Sequence, residues 1–162
     1  MKKFELTTEF ITNMFGKKLF RIKALVEFGN VKAGELGGYV EKEENVSQDG
    51  NAWVSGDARV SGNAWVSGNA WVYGNARVSG NARVSSDADY ALVQGFGTEF
   101  RCTTFYRGKN KKIMVNCGCF HGDLEGFRKQ VKETRNGKIE KEYLMIADLM
   151  EYHFTSEDSS NE

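Results

Sequence analysis

Proline is missing from the sequence altogether, while glycine occurs 18 times in 162 residues. Disordered low-complexity chains raise both together, so these glycines have to be read by position. An excess charge of either sign is missing too: 22 basic side chains face 22 acidic ones, and residues 1–49, 50–98 and 99–162 each balance separately. A neutral chain has no overall field to draw it onto nucleic acid or an anionic membrane, so no direct contact with either is expected, nor mimicry of a polyanionic duplex. Cysteine is scarce and odd in number, at Cys102, Cys117 and Cys119, which fits reduced thiols better than a secreted disulfide framework. No apolar run is long enough for a signal peptide or a membrane span, since Met1-Lys2-Lys3-Phe4-Glu5-Leu6 opens on alternation. A soluble, intracellular protein is expected.

The glycines fall on a strict period. From Gly50 the chain reads GNAWVS, GDARVS, GNAWVS, GNAWVY, GNARVS and GNARVS, with a worn seventh copy at Ser86-Asp87-Ala88-Asp89-Tyr90-Ala91. Ala and Val stand two apart and so point to one side of a strand. The Gly-Asn and Gly-Asp pairs supply turn conformations with positive φ. Six residues make one side and one corner, and three sides close a coil of about 18 residues, as in hexapeptide-type solenoids. The spacing predicts a mainly β chain built on a short left-handed parallel β-helix over 36–97. Val40 and Val46 fall on the column of Ala52 and Phe96 on that of Val54.

The flanks read as covers for this rod. Phe4–Ile11 and Leu19–Phe28 alternate about Gly16-Lys17-Lys18 and predict an N-terminal β-hairpin cap within 1–35. Beyond the coils, 98–154 predicts a second hairpin, Glu99–Tyr106 with Lys112–Cys117. A helix N-capped by Asp123 follows, then a second helix from Lys138 to His153 after the break at Asn136-Gly137. Residues 155–162 read as a disordered acidic tail.

Two resemblances follow. The step from Val54 to Ala58 matches the aliphatic-to-small spacing of hexapeptide acyltransferases, but the next position carries Ser or Tyr where that family has Gly or an acidic residue. Catalysis would also need a general base, and His121 and His153, the only histidines, lie outside the coils. No catalytic residue is therefore assigned. The stretch from Phe28-Gly29-Asn30 through Gly37-Gly38-Tyr39-Val40, the GNA-x-V repeats, and Cys117-Gly118-Cys119-Phe120 before two helices resemble the hexapeptide-repeat proteins of bacteriophages and prophages. That group includes anti-CRISPR inhibitors of type II effector nucleases. The resemblance implies a non-enzymatic inhibitor in the cytoplasm of a bacterial host, binding a host defence nuclease and blocking target-DNA binding or cleavage. A self-assembling phage structural module, including a homodimer, is the alternative.

The variable outward position of the repeat supplies the candidate partner-binding residues. Stacking at the coil period puts Trp53 under Trp71, Arg59 under Arg77 and Trp65 under Arg83, with Tyr73 beside the Trp column. Trp, Tyr and Arg are the residue types enriched in binding hot spots, and clustered apolar side chains outside a solenoid mark an interface. Burial of one Trp face by the hairpins, or self-association, would use the same columns. Cys102, Cys117, Cys119 and His121 form the only metal-like set. Cys-x-Cys aims its two sulfurs apart on a strand, so no metal and no cofactor is expected. Arg101, Arg107, Lys109, Lys111 and Lys112 read as a solubilising basic turn, and Glu41, Glu43, Glu44 and Asp49 as a guard on the first coil.

Overall fold

The computed structural model describes residues 1–155. The tail expected over 155–162 lies outside the described residues except for Thr155, which closes the last helix. In chain order the elements are β1 (Phe4–Thr12), β2 (Lys18–Ala24), β3 (Leu36–Val40) and six two-residue strands. These are β4 (Trp53–Val54), β5 (Arg59–Val60), β6 (Trp65–Val66), β7 (Trp71–Val72), β8 (Arg77–Val78) and β9 (Arg83–Val84). Then come β10 (Tyr90–Phe96), β11 (Arg101–Arg107), β12 (Ile113–Cys117), β13 (Phe120–Asp123), α1 (Leu124–Thr134) and α2 (Gly137–Thr155).

The repeat strands pair in parallel eighteen residues apart: Trp53 with Trp71, Arg59 with Arg77, Trp65 with Arg83. All six repeat glycines from Gly50 to Gly80 take φ between 61° and 70°, the left-handed region a side chain resists. The columns of Ala52–Ala82 and Val54–Val84 are fully buried. Nothing larger is needed in so narrow a bore, and each Val contributes about 1.5–3 kcal/mol by leaving water.

A coil has two open edges, and most of the closure is done by side chains. At the first coil, Lys3 Nζ donates to the Ala52 carbonyl (2.7 Å) and Asn45 Nδ2 to those of Ala64 (2.9 Å) and Gly62 (3.1 Å). The third side is extended by backbone: β3 pairs in parallel with β5, and the antiparallel hairpin β1–β2 continues that sheet, giving the order β1-β2-β3-β5-β8. At the last coil, Asp87 accepts from Trp71 N (2.8 Å) and Tyr90 OH donates to Trp71 O (2.5 Å). Thr104 Oγ1 accepts from Arg77 N (3.0 Å) and Asn116 Nδ2 donates to Arg77 O (2.8 Å). Unpaired strand edges recruit other chains; these bonds occupy them.

Two expectations of register are corrected. Val40 pairs with Val60 and Val46 with Val66, so both lie on the Val column rather than that of Ala52. Eight residues separate Val46 from Val54 where the repeat has six. The surplus holds Gln48, whose Oε1 accepts from Lys3 N (2.6 Å) and Phe4 N (3.2 Å) and whose amide donates to Phe4 O (3.3 Å), tying the start of β1 to the coil. At the other end Tyr90–Phe96 leaves the repeat register. It becomes β10, the edge of a four-stranded antiparallel sheet β10-β11-β12-β13, and Phe96 pairs with Arg101. The pairing of β11 with β12 and the Asp123 cap (Oδ1 to Gly126 N, 2.8 Å) stand as expected.

That sheet lies between the last coil and the helices. Tyr106 joins the solenoid core, while Phe105, Ile113 and Val115 face Leu124, Phe127 and Val131 of α1 and Tyr143, Ile146, Ala147, Met150 and Phe154 of α2. Alternation along β11 thus serves two cores at once. No helix among the described residues is long and apolar enough to cross a membrane.

Candidate functional site

The residues proposed for partner binding separate into different environments. Trp53 is fully buried. Phe28 and Phe4 meet its ring edge-on at centroid distances of 5.3 and 6.2 Å. A Cβ added at Gly37 would lie 2.7 Å from the Trp53 ring, so glycine there makes room for the indole. Trp53 is therefore core, a correction to its place in the binding set: the apolar N-terminal segment covers that face. Trp71 is half-buried against the same core. Tyr73 remains 55% exposed, edge-on to Tyr90 at 6.2 Å, and Trp65 is 45% exposed. Arg83 is half-buried and donates to the carbonyls of Ala82 (2.9 Å) and Asn63 (3.0 Å).

Arg59 and Arg77 behave differently. They continue a row across the outer face of the five-stranded sheet in which Arg21 pairs with Tyr39, Tyr39 with Arg59, and Arg59 with Arg77. Arg21 is satisfied by Glu9 (3.0 Å), the Gly37 carbonyl (2.7 Å), the Tyr39 hydroxyl and the Tyr39 ring. Among the described residues Arg59 and Arg77 form no ion pair, although nine such pairs occur elsewhere. Burial, and then the Arg77 charge beside it, lower the pKa of Arg59, with partial relief from Asp57. The row therefore ends in two stacked cations with incomplete compensation.

These cations floor a groove. On one side stands the turn between β1 and β2, whose Met14 and Phe15 are 59% and 71% exposed. On the other stands the β12–β13 turn with Gly118 and Cys119. Two cavities of about 410 and 670 Å³ share Met14, Arg59, Arg77, Gly118 and Cys119. The smaller reaches Glu41, Phe120 and His121; the larger reaches Asp57, Phe100 and Arg101. At the smaller end Tyr106 OH lies 3.0 Å from His121 Nε2 and 3.4 Å from Ser79 Oγ, and burial lowers the His121 pKa. The ring lies against Gly80. Cys102 borders the larger cavity with its thiol pKa raised by burial, which opposes nucleophilic reactivity.

Several of the other candidates have partners of their own. Arg107 pairs with Asp89 (2.9 Å), donates to Phe154 O (2.9 Å) and stacks on the Phe154 ring, and Lys112 pairs with Asp123 (3.0 Å). Glu41 accepts from Gly62 N (2.7 Å) and Glu43 pairs with Lys2 (2.8 Å). Cys117 accepts from Thr103 Oγ1 at 3.1 Å.

The sequence pattern of the YdcK beta solenoid repeat family matches residues 52–68, 58–74 and 70–86. The chain carries β-solenoid repeats. Those matches end where β10 leaves the coil register, so they cover the repeats and neither flank. No curated protein matches the chain.

The arginine pair was legible from the repeat, but the rest of the groove was not. Gly38-Tyr39-Val40 echoes Ala58-Arg59-Val60 and marks Tyr39 as the preceding rung. The offset of twenty residues rather than eighteen hides that match from a search at the repeat period. Met14 and Phe15 carry a different signal, two adjacent apolar residues in a hairpin turn where polar ones are usual.

Proposed function

We propose that this chain is a non-enzymatic protein-binding scaffold whose docking face is the groove over Arg59 and Arg77. In this reading the solenoid is a short left-handed parallel β-helix, capped by the N-terminal hairpin and by the C-terminal sheet and helix pair. The observation that carries it is the stacked arginine pair: a half-buried Arg59 and an exposed Arg77, neither with an ion-pair partner among the described residues, flanked by exposed Met14 and Phe15. Arginine beside apolar anchors in a concave site is the composition of an interface core. The resemblance to phage hexapeptide-repeat proteins supplies the target class, a type II CRISPR effector nuclease met in the bacterial cytoplasm. Docking there would obstruct target-DNA binding or the conformational change that precedes cleavage.

The test is direct. Purified effector–guide complex is titrated with the protein, and DNA cleavage and complex formation are measured. Inhibition with co-elution is expected, lost in Arg59→Ala/Arg77→Ala and kept in Trp65→Ala/Tyr73→Ala. Absence of complex formation rules out this target. Full retention in the arginine variant removes the groove as the docking face.

Self-assembly is the second reading, favoured by one feature. Met145, Leu149 and Tyr152 of α2 lie at i, i+4 and i+7 and are exposed, a stripe on the face opposite the one packed on the sheet. Light scattering across a concentration series, with Leu149→Asp as control, measures it. A dimer that dissociates in the variant supports this use of α2, and a monomer throughout removes it.

A further inference from the structure

The groove has a mixed lining, and the mixture restricts what fits. Its floor offers two arginines on adjacent coils, whose paired backbones lie about 4.8 Å apart. Its turn-side wall offers Met14 and Phe15. The smaller cavity also holds Lys17 and Glu41, the larger Arg101 and Asp57.

Resting on the groove reading above, we propose that the ligand is an extended protein segment with an Asp or Glu carboxylate seated between Arg59 and Arg77. An apolar side chain two residues along lodges against Met14 and Phe15. Residues two apart on an extended chain point the same way, so one segment presents both groups to the groove. A carboxylate accepts from two guanidiniums at once, and it removes the like-charge repulsion between them. Charge complementarity favours a peptide over a nucleic acid. The cations of the groove are interrupted by carboxylates, and Glu41 and Asp57 would face the neighbouring phosphates of a continuous polyanion. The same carboxylates tolerate a peptide whose flanking residues are neutral or apolar.

The experiment is fluorescence anisotropy of the whole protein with three labelled probes: an octapeptide of two Glu-Ser-Leu-Ser units (the Glu-Leu peptide), its counterpart with Gln for Glu (the Gln-Leu peptide), and an oligothymidylate. The Glu-Leu peptide is expected to bind at least about tenfold tighter than either other probe, the difference one charge-assisted hydrogen-bonded pair supplies. Arg59→Gln/Arg77→Gln should remove that preference. Met14→Ser/Phe15→Ser, on an exposed turn where folding is not at stake, should weaken Glu-Leu binding without restoring Gln-Leu binding. No binding of the Glu-Leu peptide overturns the proposal, as does equal binding of the Gln-Leu peptide. Tighter binding of the oligothymidylate assigns the groove to nucleic acid and overturns it as well. Circular dichroism checks the arginine variant; if that variant is unfolded, the Met14/Phe15 variant decides, and unchanged affinity there sinks the idea. If the peptide fails while the effector complex still depends on Arg59 and Arg77, the ligand class falls and the docking face stands.

Discussion

Phe28 stands edge-on to Trp53 with ring centroids 5.3 Å apart, and that contact turns an outward position of the repeat into core. The Trp53 Nε1–H is left buried without an acceptor among the described residues, so packing rather than hydrogen bonding holds the ring. Trp53→Ala should cost about 3–5 kcal/mol. Trp53→Phe should cost much less, because it keeps aromatic contact and deletes an unsatisfied donor. Trp65→Ala, at a half-exposed site two sides further on, should change stability by no more than about 0.5 kcal/mol. Urea unfolding of the three variants checks the ranking, and equal losses at Trp53 and Trp65 would contradict the burial of the first face.

Lys3 carries a pH dependence whose sign can be worked out. Its ammonium is buried under Phe28, 4.6 Å from the ring centroid, and bonds the Ala52 carbonyl. Burial lowers its pKa from the ordinary 10.5 to about 8, against a smaller opposing pull from Asp49. Between those values the unfolded chain holds a proton that the folded chain has released. Stability should therefore rise as pH goes from about 8 toward 10.5, by at most about 3 kcal/mol. Burial raises the Cys102 and Tyr106 pKa values, which acts oppositely from about pH 9 upward. The clean window is thus pH 7.5–9 (an interval of about one and a half units), and Lys3→Met is the reference. Melting temperatures of the two proteins across it should show a rise in the wild type that the variant lacks. Parallel curves would mean that Lys3 titrates normally.

The last coil depends on side chains that imitate a further strand. Thr104 and Asn116 hold the two free backbone groups of Arg77, and both point from the four-stranded sheet into the solenoid end. Thr104→Val leaves the Arg77 amide without its acceptor in a half-buried place and should cost about 1–3 kcal/mol, while Asn116→Leu frees a carbonyl that water can reach and should cost less, about 0.5–1.5 kcal/mol. The pair should be less than additive, because either loss loosens the same junction. Hydrogen exchange at the Arg77 and Val78 amides reads the local effect: faster exchange there, with α1 and α2 unchanged, is expected. Uniform acceleration through the chain would place the weakness elsewhere.

Much of this architecture was readable because a repeat states its geometry many times over. Six copies gave the Ala and Val columns, the glycine corners and the pairing of Arg59 with Arg77. Where the chain departs from the repeat, pattern no longer leads. Gln48 and its neighbours enlarge one corner to tie down β1, and that shifts Tyr39 and Val40 by two residues against the expected column. Tyr90–Phe96 retains enough of the spacing to pass for a coil, yet pairing with Arg101–Arg107 buries its alternate side chains on the helix side, and the tertiary partner decides. The fate of Trp53 depended on Phe4 and Phe28, about 49 and 25 positions away along the chain, a relation no local pattern contains.

The coil period makes the groove testable by insertion. Duplicating Gly56–Tyr73 adds one full eighteen-residue coil, and since each coil contacts only its neighbours the longer protein should fold with equal or higher stability. The duplication adds a third arginine between Arg59 and Arg77 and moves the β12–β13 turn away from Met14 and Phe15 by about 4.8 Å. Duplicating Gly56–Ser61 alone should also preserve the Ala and Val columns, but it rotates everything after it by one side. Arg77 then no longer stacks over Arg59, and the C-terminal sheet leaves the groove. Circular dichroism and thermal melts should therefore pass both proteins, while groove binding should weaken in the first and vanish in the second. A six-residue insertion that kept binding would show that the two turns do not act together on one ligand.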